Sequence, residues 1–247
     1  MKAMVLAAGL GTRLRPLTDD RPKALVEVAG KTMLEIALER LRSFQIRDMV
    51  VNAHHFAGQL AAYLESNQNF GMHIEISYEE VLLDTGGGLK KAAPFFLADA
   101  AGPDQPFILH NVDVISTIDL RRMVQAHQAS GALATLAVQN RETSRYLLFD
   151  EHRQLCGRRS SRNANDELIG ETRTTPLAFC GIHVISPRIF SLMNEQGVFS
   201  IIDVYLRLAA AGEKIAAFRA DDFYWRDLGK PEQVEQAAED LRRGALR

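Results

Sequence analysis

Short β-type runs alternate with helix-length segments through the first half of this chain, and that alternation restricts the fold more than any other feature. MKAMVLAA, DMVVNA, HIEISY, PFILHN and ALATLAV are apolar runs of strand length. Between them, the spacing of apolar residues predicts helices near Met33–Phe44, Phe56–Glu65, Gly88–Leu97 and Ile118–Ala129. Such an order predicts a doubly wound α/β fold whose mixed sheet is mostly parallel and covered by helices on both faces. Ligands then belong in the crevice outside the carboxyl ends of the strands.

The pattern changes after residue 138. YLLFD and LAFCGIHVI read as strands, while the intervening RRSSRNANDELIGETRTT is polar and reads as an excursion from the sheet. SPRIFSLM predicts a helix with Ser186 as N-cap and Pro187 in its first turn, and IIDVYLRLAAAGEK a helix ending near Gly212. KIAAFRA is a further strand, and Val234, Ala237, Ala238 and Leu241 mark a terminal helix. No repeat or low-complexity linker divides the 247 residues, so the expectation is one domain over 1–247.

With 47% hydrophobic residues the chain can bury a sizeable core, and its net charge of −2 gives no electrostatic case for nucleic acid or an anionic membrane. A small substrate fits that balance better. The opening apolar run is too short for a signal segment or a membrane span. Cys156 and Cys180 are the only cysteines and form no close pair, so neither a disulfide framework nor a thiolate zinc site is suggested, which agrees with a reducing cytoplasm. His54, His55 and His110 read as ordinary hydrogen-bonded histidines, since neighbours on an extended segment face opposite ways. Arg153, Arg158, Arg159 and Arg162 read as an exposed polar face.

Chemistry concentrates in Leu6-Ala7-Ala8-Gly9-Leu10-Gly11-Thr12-Arg13-Leu14-Arg15-Pro16-Leu17-Thr18, followed by Arg21-Pro22-Lys23-Ala24-Leu25. Small residues directly after a strand let backbone N–H groups close on an anion, and glycine accepts the left-handed backbone that such a nest requires. Arg13, Arg15, Arg21 and Lys23 outnumber Asp19 and Asp20, so the segment is basic within an acidic chain. The spacing is neither that of a dinucleotide fingerprint nor that of a Walker loop.

The longer pattern, LAAGLGTRLRPLT followed by PKAL, resembles the signature of the sugar-1-phosphate nucleotidyltransferases. The resemblance continues through Asp84-Thr85-Gly86-Gly87-Gly88, Asn111-Val112-Asp113, Phe179-Cys180-Gly181-Ile182 and Trp225-Arg226-Asp227-Leu228-Gly229. These blocks cover nearly the whole chain. The form TGGG leans toward the N-acetylmuramate-1-phosphate uridylyltransferase branch, with mannose-1-phosphate guanylyltransferases nearby.

That resemblance implies a Rossmann-like fold with a nucleotide-binding half at about 1–138, a sugar-binding half at about 139–230 and a C-terminal helix at 231–247. Leu6, Ala7, Ala8, Gly9, Gly11 and Thr12 would wrap the triphosphate. Arg13 would hold the departing phosphates, and Lys23 the α-phosphate region. Asp113 and Asp227 would hold one Mg²⁺, making Arg13, Lys23 and Asp113 the catalytic set. Gly86 and Gly87, in a turn before a helix, would pack on the nucleoside, and Glu80 would read the base edge. Asn111 and Gly181 would face the sugar phosphate.

Two departures bear on the acceptor. Val112 replaces the glycine of the common Asn-Gly-Asp, and the usual Glu-Lys pair is not evident, its nearest equivalents being Glu171 and Arg173. The implied substrates are an NTP, UTP first and GTP next, and a sugar 1-phosphate, in a cytoplasmic monomer or small homo-oligomer. A phosphorylated aminoalcohol or a heptose phosphate is the nearest alternative acceptor, and a non-catalytic nucleotide-sugar sensor is the alternative from another class.

Overall fold

The computed structural model describes residues 1–98, 105–160, 166–170 and 173–244. The chain opens with β1 (Lys2–Leu6), a ribbon of β2 (Glu27–Val28) and β3 (Lys31–Thr32), then α1 (Met33–Ser43), β4 (Asp48–Ala53), α2 (Ala57–Ser66) and β5 (His73–Tyr78). It continues with α3 (Asp84–Lys91), α4 (Ala93–Leu97), β6 (Phe107–Asn111), β7 (Val114–Ser116), α5 (Leu120–Ser130), β8 (Ala134–Gln139) and β9 (Arg145–Phe149). The last part comprises β10 (Leu155–Ser160), β11 (Glu167–Leu168), β12 (Thr175–Ile185), α6 (Ile189–Leu192), α7 (Ile201–Ala210), β13 (Ile215–Arg219), β14 (Trp225–Asp227) and α8 (Pro231–Arg242).

Strands β5, β4, β1 and β6 lie side by side and parallel, β12 runs antiparallel to β6, and β8 with its parallel neighbour β13 extends the sheet beyond it. Period-two alternation explains why both faces are covered. On β1, Ala3 and Val5 pack on one side and Met4 on the other; Met49 and Val51 oppose Val50 on β4 in the same way. Helices α1, α2, α5 and α8 bury their apolar stripes on the first face, while α3, α4, α6 and α7 cover the second. Because β1 is flanked by β4 and β6, the winding reverses beside it, and the crevice at its carboxyl end is the switch point where α/β sheets bind ligands.

Of the polar stretch that reads as an excursion, 161–165 and 171–172 lie outside the described residues, while 158–160, 167–168 and 175 belong to the hydrogen-bonded sheet. Strands β9, β10 and β11 continue it as an antiparallel meander from the first half of β12. Strand β12 can serve both parts because it bends at Gly181, where φ is +72° and its register against β8 shifts. Two helix readings also change. The helix expected from Ser186 contracts to four residues beginning at Ile189. The helix expected from Gly88 starts at Asp84, so Gly86, Gly87 and Gly88 are not a turn but lie buried inside α3.

Packing explains glycines at positions where helix propensity disfavours them. A Cβ on Gly86 would lie 2.5 Å from the Phe199 ring, one on Gly87 2.6 Å from the Gly197 carbonyl oxygen, and one on Gly88 2.7 Å from Glu79 Oε1. Helix α3 is therefore pressed against the segment leading into α7. Gly87→Ala meets backbone that has no rotamer to yield, so we expect it to destabilise the protein by about 1–3 kcal/mol despite alanine's better helix propensity. The midpoint of urea unfolding measures this. Among the described residues no helix is long and apolar enough to cross a membrane.

Candidate active site

The loop after β1 is fixed from below. Asn52, buried near the end of β4, accepts hydrogen bonds through Oδ1 from the amides of Ala7 at 2.6 Å and Ala8 at 3.3 Å. Its Nδ2 donates to Glu79 Oε1 at 2.7 Å, and the other oxygen of Glu79 accepts from the Leu83 amide at 2.9 Å. This buried pair sets where the glycine loop leaves the strand. Gly11 then takes a left-handed conformation, φ +66°, and its carbonyl accepts from Thr18 Oγ1 at 2.9 Å. A Cβ there would come within 2.9 Å of Thr18 Cγ2, so the bend needs glycine on two counts. A single 3₁₀ turn, Thr12–Leu14, buries Leu14 and leaves Thr12 and Arg13 exposed above the loop.

The carboxylates arrive by a different device. Strand β6 ends at Asn111, and the short ribbon β7–β14 pairs Val114 with Asp227. The Leu228 amide also donates to the Asp113 carbonyl at 2.8 Å, so two aspartates distant in sequence are brought side by side. The Lys23 ammonium, at the start of the turn Lys23–Leu25, contacts Asp113 Oδ2. Burial raises the Asp227 carboxyl above the usual carboxylate range, and the charge of Asp113 pushes it further the same way. The Gly229 amide, donating at 2.7 Å, together with Lys23 and Arg13, opposes that rise. A Cβ on Gly229 would lie 2.6 Å from Asp227 Oδ1 and 2.9 Å from Arg13 Nη2, so the glycine leaves room for the guanidinium to approach the carboxylate.

The raised pKa of Asp227 has a definite consequence for stability. The unfolded chain ionises this carboxyl at lower pH than the folded one, so the penalty is absent below both values and complete above the folded value. At pH 7 Asp227→Asn should therefore raise the melting temperature of the ligand-free protein, and the gain should shrink as the pH falls toward 4. A melting series over pH measures it, and a lowered melting temperature at pH 7 would contradict the assignment.

Two cavities meet over this point. The smaller, about 380 Å³, is lined by Ala7, Ala8, Gly9, Lys23, Thr85 and Asp113 among others. The larger, about 840 Å³, carries Arg13, Arg141, Tyr146, Gly181 and Asp227. Both are bordered by Asn111, whose buried Oδ1 has no donor among the described residues. Gly181 permits this approach, since a Cβ there would stand 2.9 Å from Asn111 Nδ2. Arg158 and Arg159 also line the larger cleft, but Arg158 pairs with Glu167 and Asp203, and Arg159 with Asp166. His110 donates to the Asn111 carbonyl at 2.8 Å, with burial lowering its pKa to about 4. His54 makes a similar bond to Glu79 O.

The structure thus gathers Leu6, Ala7, Ala8, Gly9, Arg13, Lys23, Asn111, Asp113, Gly181 and Asp227 around one crevice. Gly11 and Thr12 shape its loop without lining either cavity. Gly86 and Gly87 are buried against the 197–199 backbone, and Asp84 and Thr85 line the cavities instead. Glu80 is exposed and lines neither cavity, because the residue that turns inward after β5 is Glu79. Arg173 is exposed and lines neither cavity, and Glu171 lies outside the described residues. Sequence reasoning did not single out Asn52, Glu79 or Arg141, and it named Gly229 only as part of the Trp225–Gly229 block. An asparagine ending an otherwise apolar strand was the available signal for the first.

A crevice of this make, at the switch point of a doubly wound sheet, suits an enzyme that handles a phosphorylated nucleotide. Residues 2–150 match the family model described as nucleotidyl transferase. The chain is 34% identical over 246 residues to an N-acetylmuramate alpha-1-phosphate uridylyltransferase of Caulobacter vibrioides, covering 96% of this chain and 95% of that one. It is 29% identical over 255 residues to a UTP–glucose-1-phosphate uridylyltransferase of a Synechocystis species, covering 96% of this chain and 62% of that longer protein. A solved structure of UDP-glucose pyrophosphorylase complexed with UDP-glucose shares the fold, with a TM-score of 0.79 at 19% identity over 98% of each chain. The chain belongs to the nucleotidyl transferase family.

Proposed function

We propose that this enzyme transfers a uridylyl group from UTP to a sugar 1-phosphate, N-acetylmuramate 1-phosphate before others, releasing pyrophosphate in the cytoplasm. One observation carries the reading: the glycine loop, Arg13 and Lys23 share a single crevice with two carboxylates, so cations and amides for a triphosphate stand beside oxygen ligands for a metal. The similarity to the Caulobacter enzyme over almost its full length supports the choice of base and sugar. GTP and a hexose 1-phosphate come next.

The donor set fits a hard divalent cation. Asp113 and Asp227 are close enough for the charge of one to raise the pKa of the other, and carboxylate oxygens suit Mg²⁺. When bound there, Mg²⁺ would supply charge neutralisation for phosphate oxygens. The remaining work falls to the chain. The Gly9 amide, at the mouth of the loop that Gly11 bends, meets the phosphates, and Lys23 exchanges its contact with Asp113 for the α-phosphate. Arg13 holds the β- and γ-phosphates as they depart. A sugar-phosphate oxygen entering from the larger cleft then attacks the α-phosphorus in line, and no residue need form a covalent intermediate.

Pyrophosphate release across UTP, GTP, CTP, dTTP and ATP, each against N-acetylmuramate, glucose, mannose, N-acetylglucosamine and heptose 1-phosphates, tests the assignment. The strongest rate is expected with UTP and N-acetylmuramate 1-phosphate. A strong rate in another cell corrects the substrate, and an empty matrix with clear NTP binding moves the reading to another acceptor or to a sensor.

A further inference from the structure

In the larger cleft Arg141 is held in place by contacts that leave its charge without an acidic partner among the described residues. Arg141 follows β8 by two residues, and its guanidinium lies 3.8 Å from the centroid of the Trp225 ring. Its Nη2 donates to the Phe179 carbonyl at 2.8 Å, and Trp225 is itself fixed by Nε1 donating to the Cys180 carbonyl at 2.7 Å. Arg141 Nε is buried without an acceptor, and no carboxylate pairs with this guanidinium among the described residues. Arg158 and Arg159 in the same cleft are each committed to acidic partners. A guanidinium held over an aromatic ring, with donors left over, is preorganised for a bidentate oxyanion.

Its position identifies which anion. Trp225 and Asp227 stand two residues apart on β14 and so face the same side, roughly 6–7 Å apart along the strand. The charge of Asp227 also acts on Arg141, and both line the larger cleft with Gly181 and Asn111. We propose that Arg141, clamped on Trp225, grips the phosphate monoester of the acceptor and holds it for attack. This rests on the transferase reading above and adds a residue to it.

Trp225 is the only tryptophan in the chain, so it reports on this cation directly. The experiment titrates full-length protein with N-acetylmuramate 1-phosphate, glucose 1-phosphate, inorganic phosphate and unphosphorylated N-acetylmuramate, reading Trp225 fluorescence, with UTP affinity measured separately by calorimetry. Phosphate-bearing probes should change the emission of wild type, and R141Q should bind them at least tenfold more weakly while keeping UTP affinity within twofold. In turnover, R141Q should raise the acceptor KM by a similar factor with UTP KM unchanged. R141K, which keeps the charge and loses the planar fork, should recover only part of the affinity and guards against a folding defect in R141Q. Unchanged affinity for the phosphate probes in both variants, or an equal loss of UTP affinity, would overturn the proposal. So would binding of unphosphorylated N-acetylmuramate as strong as that of its 1-phosphate. If Arg141 proves to bind phosphate while wild type turns over no sugar 1-phosphate, the transferase reading fails and the anion site stands.

Discussion

Asp113→Ala is expected to lower kcat/KM by roughly a thousandfold or more, about 4 kcal/mol of transition-state stabilisation. The carboxylate sits where the end of β6 meets the ribbon β7–β14, against Lys23 and beside Asp227. It would be one of two protein ligands for Mg²⁺, and removing it halves that set. The lysine also loses the partner that fixes it, its side chain being only 11% exposed. Two readouts separate these effects. The Mg²⁺ concentration giving half-maximal rate should rise steeply, and thermal unfolding should show that the fold persists. Turnover within a few-fold of wild type would remove Asp113 from the catalytic account.

Arg13→Ala is expected to cost about a hundred- to a thousandfold in kcat, near 3–4 kcal/mol, the range for one preorganised electrostatic contact to developing charge. Arg13 is exposed on a 3₁₀ turn, and its Nη2 lies close enough to Gly229 that no Cβ fits between them. It therefore carries little of the fold, and the melting temperature should hardly move. Lysine should rescue poorly, because a compact ammonium cannot span two phosphate oxygens as a planar fork does. The departing pyrophosphate gives a second readout: pyrophosphate should inhibit the variant more weakly than wild type. An unchanged rate would rule out any phosphate role for this arginine.

The parts of this account legible in the sequence are local ones. The runs DMVVNA and HIEISY became β4 and β5 over the same residues, because each is a β-type run bounded by polar turns. The Gly9–Thr18 bend was visible because its requirement for glycine is met within eight residues of chain. Non-local requirements were hidden. Gly86, Gly87 and Gly88 look like a turn, yet the reason for them is Phe199, Gly197 and Glu79, which only the folded chain brings near. Glu80 and Glu79 differ by one residue at a strand exit, where parity decides which carboxylate is buried. The three-residue strands β7 and β14 carry too little pattern to be read, and they are what brings Asp113 to Asp227. The meander β9–β11 hid its pairing behind polar residues because its last strand is exposed.

The most direct test of the central claim is the stoichiometry of products from UTP, N-acetylmuramate 1-phosphate and Mg²⁺. The account predicts UDP-sugar and pyrophosphate in equal amounts, formed together from the first turnover and absent when either substrate is withheld. Pyrophosphate appearing from UTP without the sugar phosphate, or no UDP-sugar despite UTP binding, would contradict it.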